Sequence, residues 1–198
     1  MGPRLLLWLL GLAQWAGALV EVSRRLAVGS TVALNWRQFT AIVPLEEVAA
    51  PEAKEPLPVE ALAARLVRDV TEGATGKGGY LVTGDLDSRL FKNDARFRDP
   101  TNDVSSLSKY QKAVSILWDT QIGQRVTLLS GPIVNGRSVT ATVHVSPGVI
   151  KLLPWRPTIR AFDTTLTWLI GDDGLVQDQS QIWSISAADA LIQTFTFF

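Results

Sequence analysis

The spacing of apolar residues changes once along the chain, and it predicts helices first and strands afterwards. From Pro58, which suits a first helical turn, apolar residues recur every three or four positions up to the glycine cluster at 73–79. A second stretch with helical spacing follows the polar residues at 101–103 and ends near Trp118. Beyond residue 125 apolar and polar residues alternate, which is the period of a strand.

Four strands are predicted in this second half, at 126–134, 139–145, 158–170 and 175–185. Asn135-Gly136 is a strong signal for a tight hairpin between the first two strands, and a turn at 171–174 joins the last two. Ser186 and Asp189 resemble a capping box for a short terminal helix. Helices followed by strands joined as hairpins predict an α+β fold with an antiparallel sheet.

Residues 1–20 have the pattern of a signal-peptide leader, with Arg4, an apolar core and a small-residue cleavage motif at 16–18. An uncleaved membrane anchor is the alternative, although the apolar stretch is shorter than the roughly 20 residues that span a bilayer. Residues 21–57 combine a basic, transit-peptide-like segment with a linker rich in Pro and Glu. We therefore expect the folded domain at 58–198, and either a plastid, reached through a two-part signal, or the secretory route.

The composition excludes several kinds of site. The chain of 198 residues has no cysteine and one histidine, which rules out disulfides, thiol nucleophiles and metal sites built from several Cys or His ligands. Lys and Arg total 19, as do Asp and Glu, so the formal net charge is zero. A balanced charge argues against binding nucleic acid over a broad basic surface. We expect no metal, no cofactor, no nucleic-acid partner, and membrane contact only through an uncleaved leader.

Three stretches of the predicted domain carry a resemblance to a known superfamily. They are 80–86 together with 97–101, the block Pro154-Trp155-Arg156-Pro157, and the pairing of 173–176 with 182–186. With the order of predicted elements, they resemble the nuclear transport factor 2-like superfamily (NTF2-like), which includes the SnoaL-like proteins, over roughly residues 58 to 195. The nearest resemblance is to the uncharacterised plastid SnoaL-like proteins of plants and algae.

The resemblance implies a cone-shaped α+β fold, in which a curved antiparallel sheet wraps around helices and encloses a pocket. Some members of the superfamily use that pocket for catalysis, with an Asp or an Asp–His pair inside it. Other members use the fold for binding or for forming dimers. None of the three stretches is a catalytic signature, so the resemblance points to a fold and not to a reaction.

Seven residues are candidates for lining such a ligand pocket. His144 is a natural acid or base, and it lines the interior only if its strand turns that face inward. Asp99 precedes a proline, so its carboxylate serves either the pocket or the turn itself. Asp163 is an unusual acid within a strand. Four aromatic residues suit either a flat apolar ligand or a packed core: Tyr110, Trp118, Trp168 and Trp183.

Two functions from different classes follow from these patterns. The first is a non-catalytic accessory or ligand-binding protein in a plastid, which forms a homodimer or docks on a larger plastid complex. The second is a cofactor-independent isomerase, dehydratase or cyclase acting on a small apolar ligand. An open pocket with a buried carboxylate near His144 would favour the second, and an interior filled by Trp and Leu side chains would exclude it. No residue is predicted as a nucleophile, and the first function is favoured. A secreted carrier of a small molecule would differ from the first mainly in its destination.

Overall fold

Four helices and eight strands are formed by residues 54–195, the part of the chain that the computed structural model describes. The helices are α1 (Val59–Glu72), α2 (Tyr80–Thr83), α3 (Leu107–Leu117) and α4 (Ala187–Gln193). The strands are β1 (Phe91–Arg98), β2 (Asp103–Ser105), β3 (Val126–Asn135), β4 (Ser138–Val145), β5 (Gly148–Val149), β6 (Thr158–Ile159), β7 (Phe162–Ile170) and β8 (Val176–Trp183). The predicted leader and nearly all of the transit-like segment lie outside the described residues.

Six of these strands form one mixed sheet in the order β2–β1–β8–β7–β4–β3, and β5 pairs with β6 apart from it. Neighbouring strands are antiparallel except β1 and β8, which run parallel. This pair corrects the prediction of an antiparallel sheet: β1 and β8 are far apart in sequence, so no hairpin fixes their relative direction. Register shifts within three of the strand pairs bend the sheet.

The alternation in β4 and β7 decides which face of the sheet is buried. Val139, Ala141, Val143 and Val145 of β4 are at most 2% exposed, whereas the residues that alternate with them are half-buried. We call their side of the sheet the inner face, and the opposite side the outer face. The inner face packs into one core with apolar residues of α1, α2, β1 and α3: Leu62, Leu66, Val70, Tyr80, Val82, Phe91, Phe97 and Leu107.

The predicted helices and strands are present, but the strand predicted at 158–170 and the helix predicted to end near Trp118 differ in length from the prediction. The Asn135-Gly136 hairpin forms as expected, because Asn135 pairs with Ser138. The long strand predicted at 158–170 is divided into β6 and β7. The division falls at Arg160, whose backbone N–H donates to Oε1 of Gln193 at 2.7 Å. Trp118 lies one residue beyond α3 in an extended conformation and bridges to Ile150.

Apart from the parallel pairing of β1 with β8, the fold class is the predicted one. Residues 54–195 form an α+β domain in which a curved sheet wraps around helices, as the resemblance to the NTF2-like superfamily implied. Within these residues, no helix combines the length and the apolar composition needed to cross a bilayer.

Candidate functional site

The deepest part of the inner face holds a buried polar cluster made of Tyr80, Trp168 and Gln179. β7 and β8 place Trp168 and Gln179 side by side, since the two residues are paired across the strands. Oε1 of Gln179 accepts from the Tyr80 hydroxyl at 2.8 Å and from the Trp168 indole at 3.0 Å. Burial raises the pKa of Tyr80 well above its ordinary value, so the phenol stays neutral and acts as a hydrogen-bond donor.

A second group of side chains continues the inner face toward the end of β8. Gln181 and Trp183 share the side of Gln179, because they alternate with the outward Ile182, which is 73% exposed. The Trp183 ring lies 5.5 Å from that of Phe162, and its indole donates to Oε1 of Gln181 at 3.2 Å. Trp183 and Phe162 are only half-buried, so solvent reaches this end of the inner face.

Tyr110 of α3 covers this region from the helical side. Its ring stacks on Phe97 with a centroid distance of 4.0 Å. Burial raises the pKa of the Tyr110 hydroxyl and the Asp99 carboxylate adds to the effect, while the amides of Gln179 and Gln181 act in the opposite direction. Tyr110 is thus a neutral hydroxyl close to two amides, and it cannot supply a phenolate near neutral pH.

Two polar atoms of the inner face have no hydrogen-bond partner among the described residues. They are Oγ1 of Thr164 and Nε2 of Gln179, and both residues are 1% exposed. Thr164 is paired directly with the half-buried Trp183 across β7 and β8. An unpartnered buried polar atom costs about 1 to 3 kcal/mol, so it marks a place where a hydrogen-bonding ligand would add stability.

Asp69 is a buried acid that the sequence analysis did not single out. It lies on the buried side of α1 and is 4% exposed; its Oδ2 accepts from the backbone N–H of Asp87 at 2.9 Å. Oδ1 has no partner among the described residues. The pKa of Asp69 is raised to about 7, and burial is the main cause. The hydrogen bond from the backbone N–H of Asp87 lowers this pKa, while the carboxylates of Asp87 and Asp85 raise it by more than Arg65 lowers it.

The pKa of Asp87, which lies four residues before the start of β1, is shifted in the opposite direction. Arg65 and Arg89 both donate to its carboxylate, at 2.7 and 2.8 Å. Burial alone would raise the pKa of Asp87, but the hydrogen bonds from the two arginines outweigh it and lower the pKa to about 2. Near neutral pH, Asp87 is therefore a fixed anion, whereas Asp69 titrates.

His144 and Asp163, two of the predicted pocket residues, lie on the outer face. The valine side of β4 is the buried one, so the alternation turns His144 away from the helices. Nδ1 of His144 lies 2.7 Å from Oδ1 of Asp163, and both side chains are more than 40% exposed. The prediction that these two residues line the interior is therefore corrected, since period two places them on the opposite side.

Asp99 organises a turn, which is the second of the two roles that the sequence analysis gave for its carboxylate. Its Oδ1 accepts from the backbone N–H and the hydroxyl of Thr101, both at 2.7 Å, and from the backbone N–H of Asn102 at 2.9 Å. Three hydrogen bonds therefore hold Oδ1 in the turn, and Oδ2 accepts from the side-chain amide of Asn102 at 3.2 Å. Of the aromatic candidates, Tyr110, Trp168 and Trp183 contribute to the inner face as described, and Trp118 is buried between α3 and Ile150.

The residues that the sequence analysis missed had weak signals. Asp69 falls three residues after Leu66 and seven after Leu62, which places it on the apolar side of a helix. That position is unusual for an acid and could have been noticed. Gln179 gave no comparable signal, because its strand carries polar residues on both sides.

The arrangement favours binding through neutral groups over acid–base chemistry. The inner face offers hydroxyl, amide and indole groups, and within residues 54–195 the buried acid whose pKa is raised to about 7 is Asp69, at the α1 side. Within residues 54–195, no group of three or more His, Cys, Asp or Glu side chains is placed to hold a metal ion.

Comparison with solved structures finds similar folds at low sequence identity. A protein of Jannaschia sp. CCS1 described as a SnoaL-like polyketide cyclase is 14% identical, covers 73% of this chain and 100% of its own, and gives a TM-score of 0.49. An NTF2-like protein of unknown function from Cytophaga hutchinsonii is 8% identical, with coverages of 66% and 94% and a TM-score of 0.43. A steroid delta-isomerase from Pseudomonas aeruginosa is 19% identical, with coverages of 69% and 88% and a TM-score of 0.41. No family model and no curated protein matches the chain. The similarity therefore concerns the fold alone, and the reactions named are those of the other proteins.

Proposed function

We propose that the domain binds a small, neutral, largely apolar molecule on the inner face near Thr164 and Trp183, and that it does so without catalysis. One observation carries the proposal: the inner face presents neutral hydrogen-bonding groups, while the sole histidine and its Asp163 partner stand on the outer face. We propose a plastid accessory role as its setting, on the strength of the two-part leader. The compartment in which a fluorescent fusion of the full chain accumulates tests that setting, and accumulation outside plastids contradicts it.

The ligand class follows from the groups that lack partners. A ligand that carries a carbonyl or hydroxyl oxygen would accept a hydrogen bond from the Thr164 hydroxyl, which has no partner among the described residues. The half-buried rings of Phe162 and Trp183 would contact its flat apolar part. An anionic ligand is disfavoured, because among the described residues no cation on the inner face would compensate for its desolvation.

The test is a fluorescence titration of the full chain with prodan, a neutral aromatic ketone whose emission reports the polarity around it. Thr164→Val removes the unpartnered hydroxyl at almost constant volume. We expect this variant to be more stable to urea by about 1 kcal/mol, because an unsatisfied polar atom is lost. We also expect it to bind prodan about five- to tenfold more weakly, because one hydrogen bond to the ligand is lost.

Thr165→Val is the matched control, since Thr165 is the next residue and faces outward, where its hydroxyl lies 3.0 Å from that of Thr142. It should leave the prodan affinity unchanged. The two expected effects of Thr164→Val have opposite signs, so poor folding cannot produce both. Equal prodan affinity in the two variants, or no saturable binding to the natural chain, would exclude the proposed site.

A second function, a cofactor-independent isomerase or related enzyme, is favoured by one observation. Asp69 is buried, has an unpartnered oxygen and has a pKa raised to about 7, which are properties of a general base near neutral pH. Such a base would remove a proton from the carbon next to a ketone. Only a ligand that reaches from the inner face to α1 would place that carbon beside Asp69.

Hydrogen exchange separates the two functions. The full chain is incubated in D2O with prodan, and NMR follows deuterium incorporation next to the ketone. Binding without catalysis predicts exchange at the rate of the buffer alone. Faster exchange that Asp69→Asn abolishes, with prodan affinity retained, would establish the enzymatic function instead.

We propose the outer face as the contact with a second copy of the chain. Its middle is uncharged, with threonine hydroxyls paired across β4 and β7, and Ile182 beside them is 73% exposed. A surface of this kind can pair with itself about a two-fold axis. Sedimentation should show a dimer for the natural chain and a monomer for Ile182→Glu; a monomeric natural chain would contradict the proposal.

A further inference from the structure

The charges of the chain are distributed unevenly along the sequence, although they sum to zero. Between Asp119 and Asp163 there is no Asp or Glu, and the same stretch carries five Arg or Lys residues. Three of them, Lys151, Arg156 and Arg160, fall in the short segment between β5 and β7. The formal net charge is therefore zero, although one part of the surface is locally basic.

Exposed apolar side chains lie beside these cations. Leu152 and Trp155 of the segment are 41% and 39% exposed, and Ile192 and Phe195 at the end of α4 are 63% and 37% exposed. The rings of Trp155 and Phe195 are 6.2 Å apart, and the Trp155 indole donates to the backbone oxygen of Thr194 at 2.6 Å. We call these four residues the Trp155 patch.

The three cations near the Trp155 patch differ in whether an acid pairs with them. Arg156 forms an ion pair with Asp119. Asp189, in the first turn of α4, accepts from the Ser186 hydroxyl at 2.7 Å. Lys151 donates to the backbone oxygen of Ser115 and is exposed.

Arg160 is exposed as well, and within residues 54–195 neither Lys151 nor Arg160 forms an ion pair with a carboxylate. Two positive charges thus border four exposed apolar side chains.

We propose that the Trp155 patch docks on the surface of an anionic lipid membrane. This surface belongs to the folded domain, so the contact is separate from any made by the leader, and it does not depend on the ligand site of the inner face. Leu152, Trp155 and the α4 residues enter the interfacial layer, while Lys151 and Arg160 lie at the level of the lipid phosphates.

The chemistry of the patch matches such a bilayer in two ways. Tryptophan is enriched at membrane interfaces, because its ring is apolar and its N–H is polar. An anionic surface attracts each nearby Lys or Arg, and the attraction of one such residue corresponds to about a fivefold increase in binding. The sequence between Asp119 and Asp163 contains no acid that would oppose this contact. Asp189, three residues before Ile192, does oppose it, but the two cations Lys151 and Arg160 outnumber this one acid.

The test uses the full chain and the fact that it has no cysteine. Leu152→Cys carries a thiol-reactive dye whose emission shifts to the blue in an apolar environment. Leu169→Cys is the matched control, because Leu169 is about as exposed as Leu152, at 39% against 41%, and lies on the outer face. Contact with a second copy through that face would be the same with and without vesicles, so it gives no lipid-dependent shift. Each labelled protein is mixed with phosphatidylcholine vesicles, with or without phosphatidylglycerol.

We expect a blue shift for the dye at position 152 with the anionic vesicles and not with phosphatidylcholine alone. The dye at position 169 should not shift, even when the leader holds the protein on the vesicle. Adding Lys151→Gln and Arg160→Gln to the labelled Leu152→Cys chain should raise the lipid concentration for half-maximal shift about 30-fold. No shift at position 152, an equal shift at both positions, or an unchanged lipid requirement in the charge variant would each overturn the proposal.

Discussion

Replacing Asp69 by Asn tests whether the buried acid of α1 is destabilising when charged. The substitution keeps the shape of the side chain and an oxygen that can accept from the backbone N–H of Asp87. It removes the negative charge that forms when Asp69 ionises. The variant should therefore differ from the natural chain in how its stability depends on pH, and not in its fold.

The magnitude follows from the pKa of Asp69, which rises from 3.8 to about 7 on folding. Between these two values the folded chain holds a proton that the unfolded chain has released, so stability falls as pH rises through the window. The loss is complete above the folded pKa. A shift of about three pKa units corresponds to about 4 kcal/mol.

The assay is urea unfolding of both proteins at about pH 4 and about pH 8, followed by circular dichroism. The free energy of unfolding of the natural chain should fall, relative to the Asn variant, by about 4 kcal/mol over this range. Costs of the new amide group that do not depend on pH cancel in this difference. A difference between the two proteins that stays constant within about 1 kcal/mol would refute the reasoning.

Two further substitutions test how the interior is held together. Tyr80→Phe removes the hydroxyl that donates to Gln179 and accepts from Trp168, and should lower the free energy of unfolding in urea by about 1 to 3 kcal/mol; a change below about 0.5 kcal/mol would mean that the buried cluster is dispensable. Gly84→Ala places a methyl group 2.5 Å from the backbone oxygen of Gln111 at a position where φ is +74°, and should cost more than about 2 kcal/mol. Its control is Gly136→Ala, where φ is +57° and nothing lies within 4 Å, so a cost of only about 1 kcal/mol is expected. Equal costs at the two glycines would contradict the close packing of α2 against α3.

The parts of the fold that the sequence predicted are those governed by local periodicity. Leu62, Leu66 and Val70 of α1 are all buried, as helical spacing predicts for one side of a helix. Strict alternation placed β4 and β7, and Asn135-Gly136 placed the hairpin before β4. In each case a few neighbouring residues contain the whole signal.

The parallel pairing of β1 with β8 could not be predicted in this way, because it joins distant residues and no local pattern records the direction. The outward position of His144 could not be predicted for a related reason. Alternation shows that His144 and Val143 face opposite sides, but only the packing of the helices decides which side is buried.

The candidate site was harder to predict than the fold. Trp168 and Trp183 were recognised as large apolar side chains, but their polar neighbours were not. Gln179 becomes a buried hydrogen-bonding group only because β8 pairs with β7 and places it beside Trp168. Thr164 looked like any other threonine of a strand until the inner face was defined.

A crystal structure of the full chain in complex with prodan would test the proposed ligand site most directly. The account predicts the ketone oxygen within about 3.2 Å of Oγ1 of Thr164, with the naphthalene ring against Trp183. Prodan bound on the outer face near His144 and Asp163, or bound inside with its ketone away from Thr164, would contradict it.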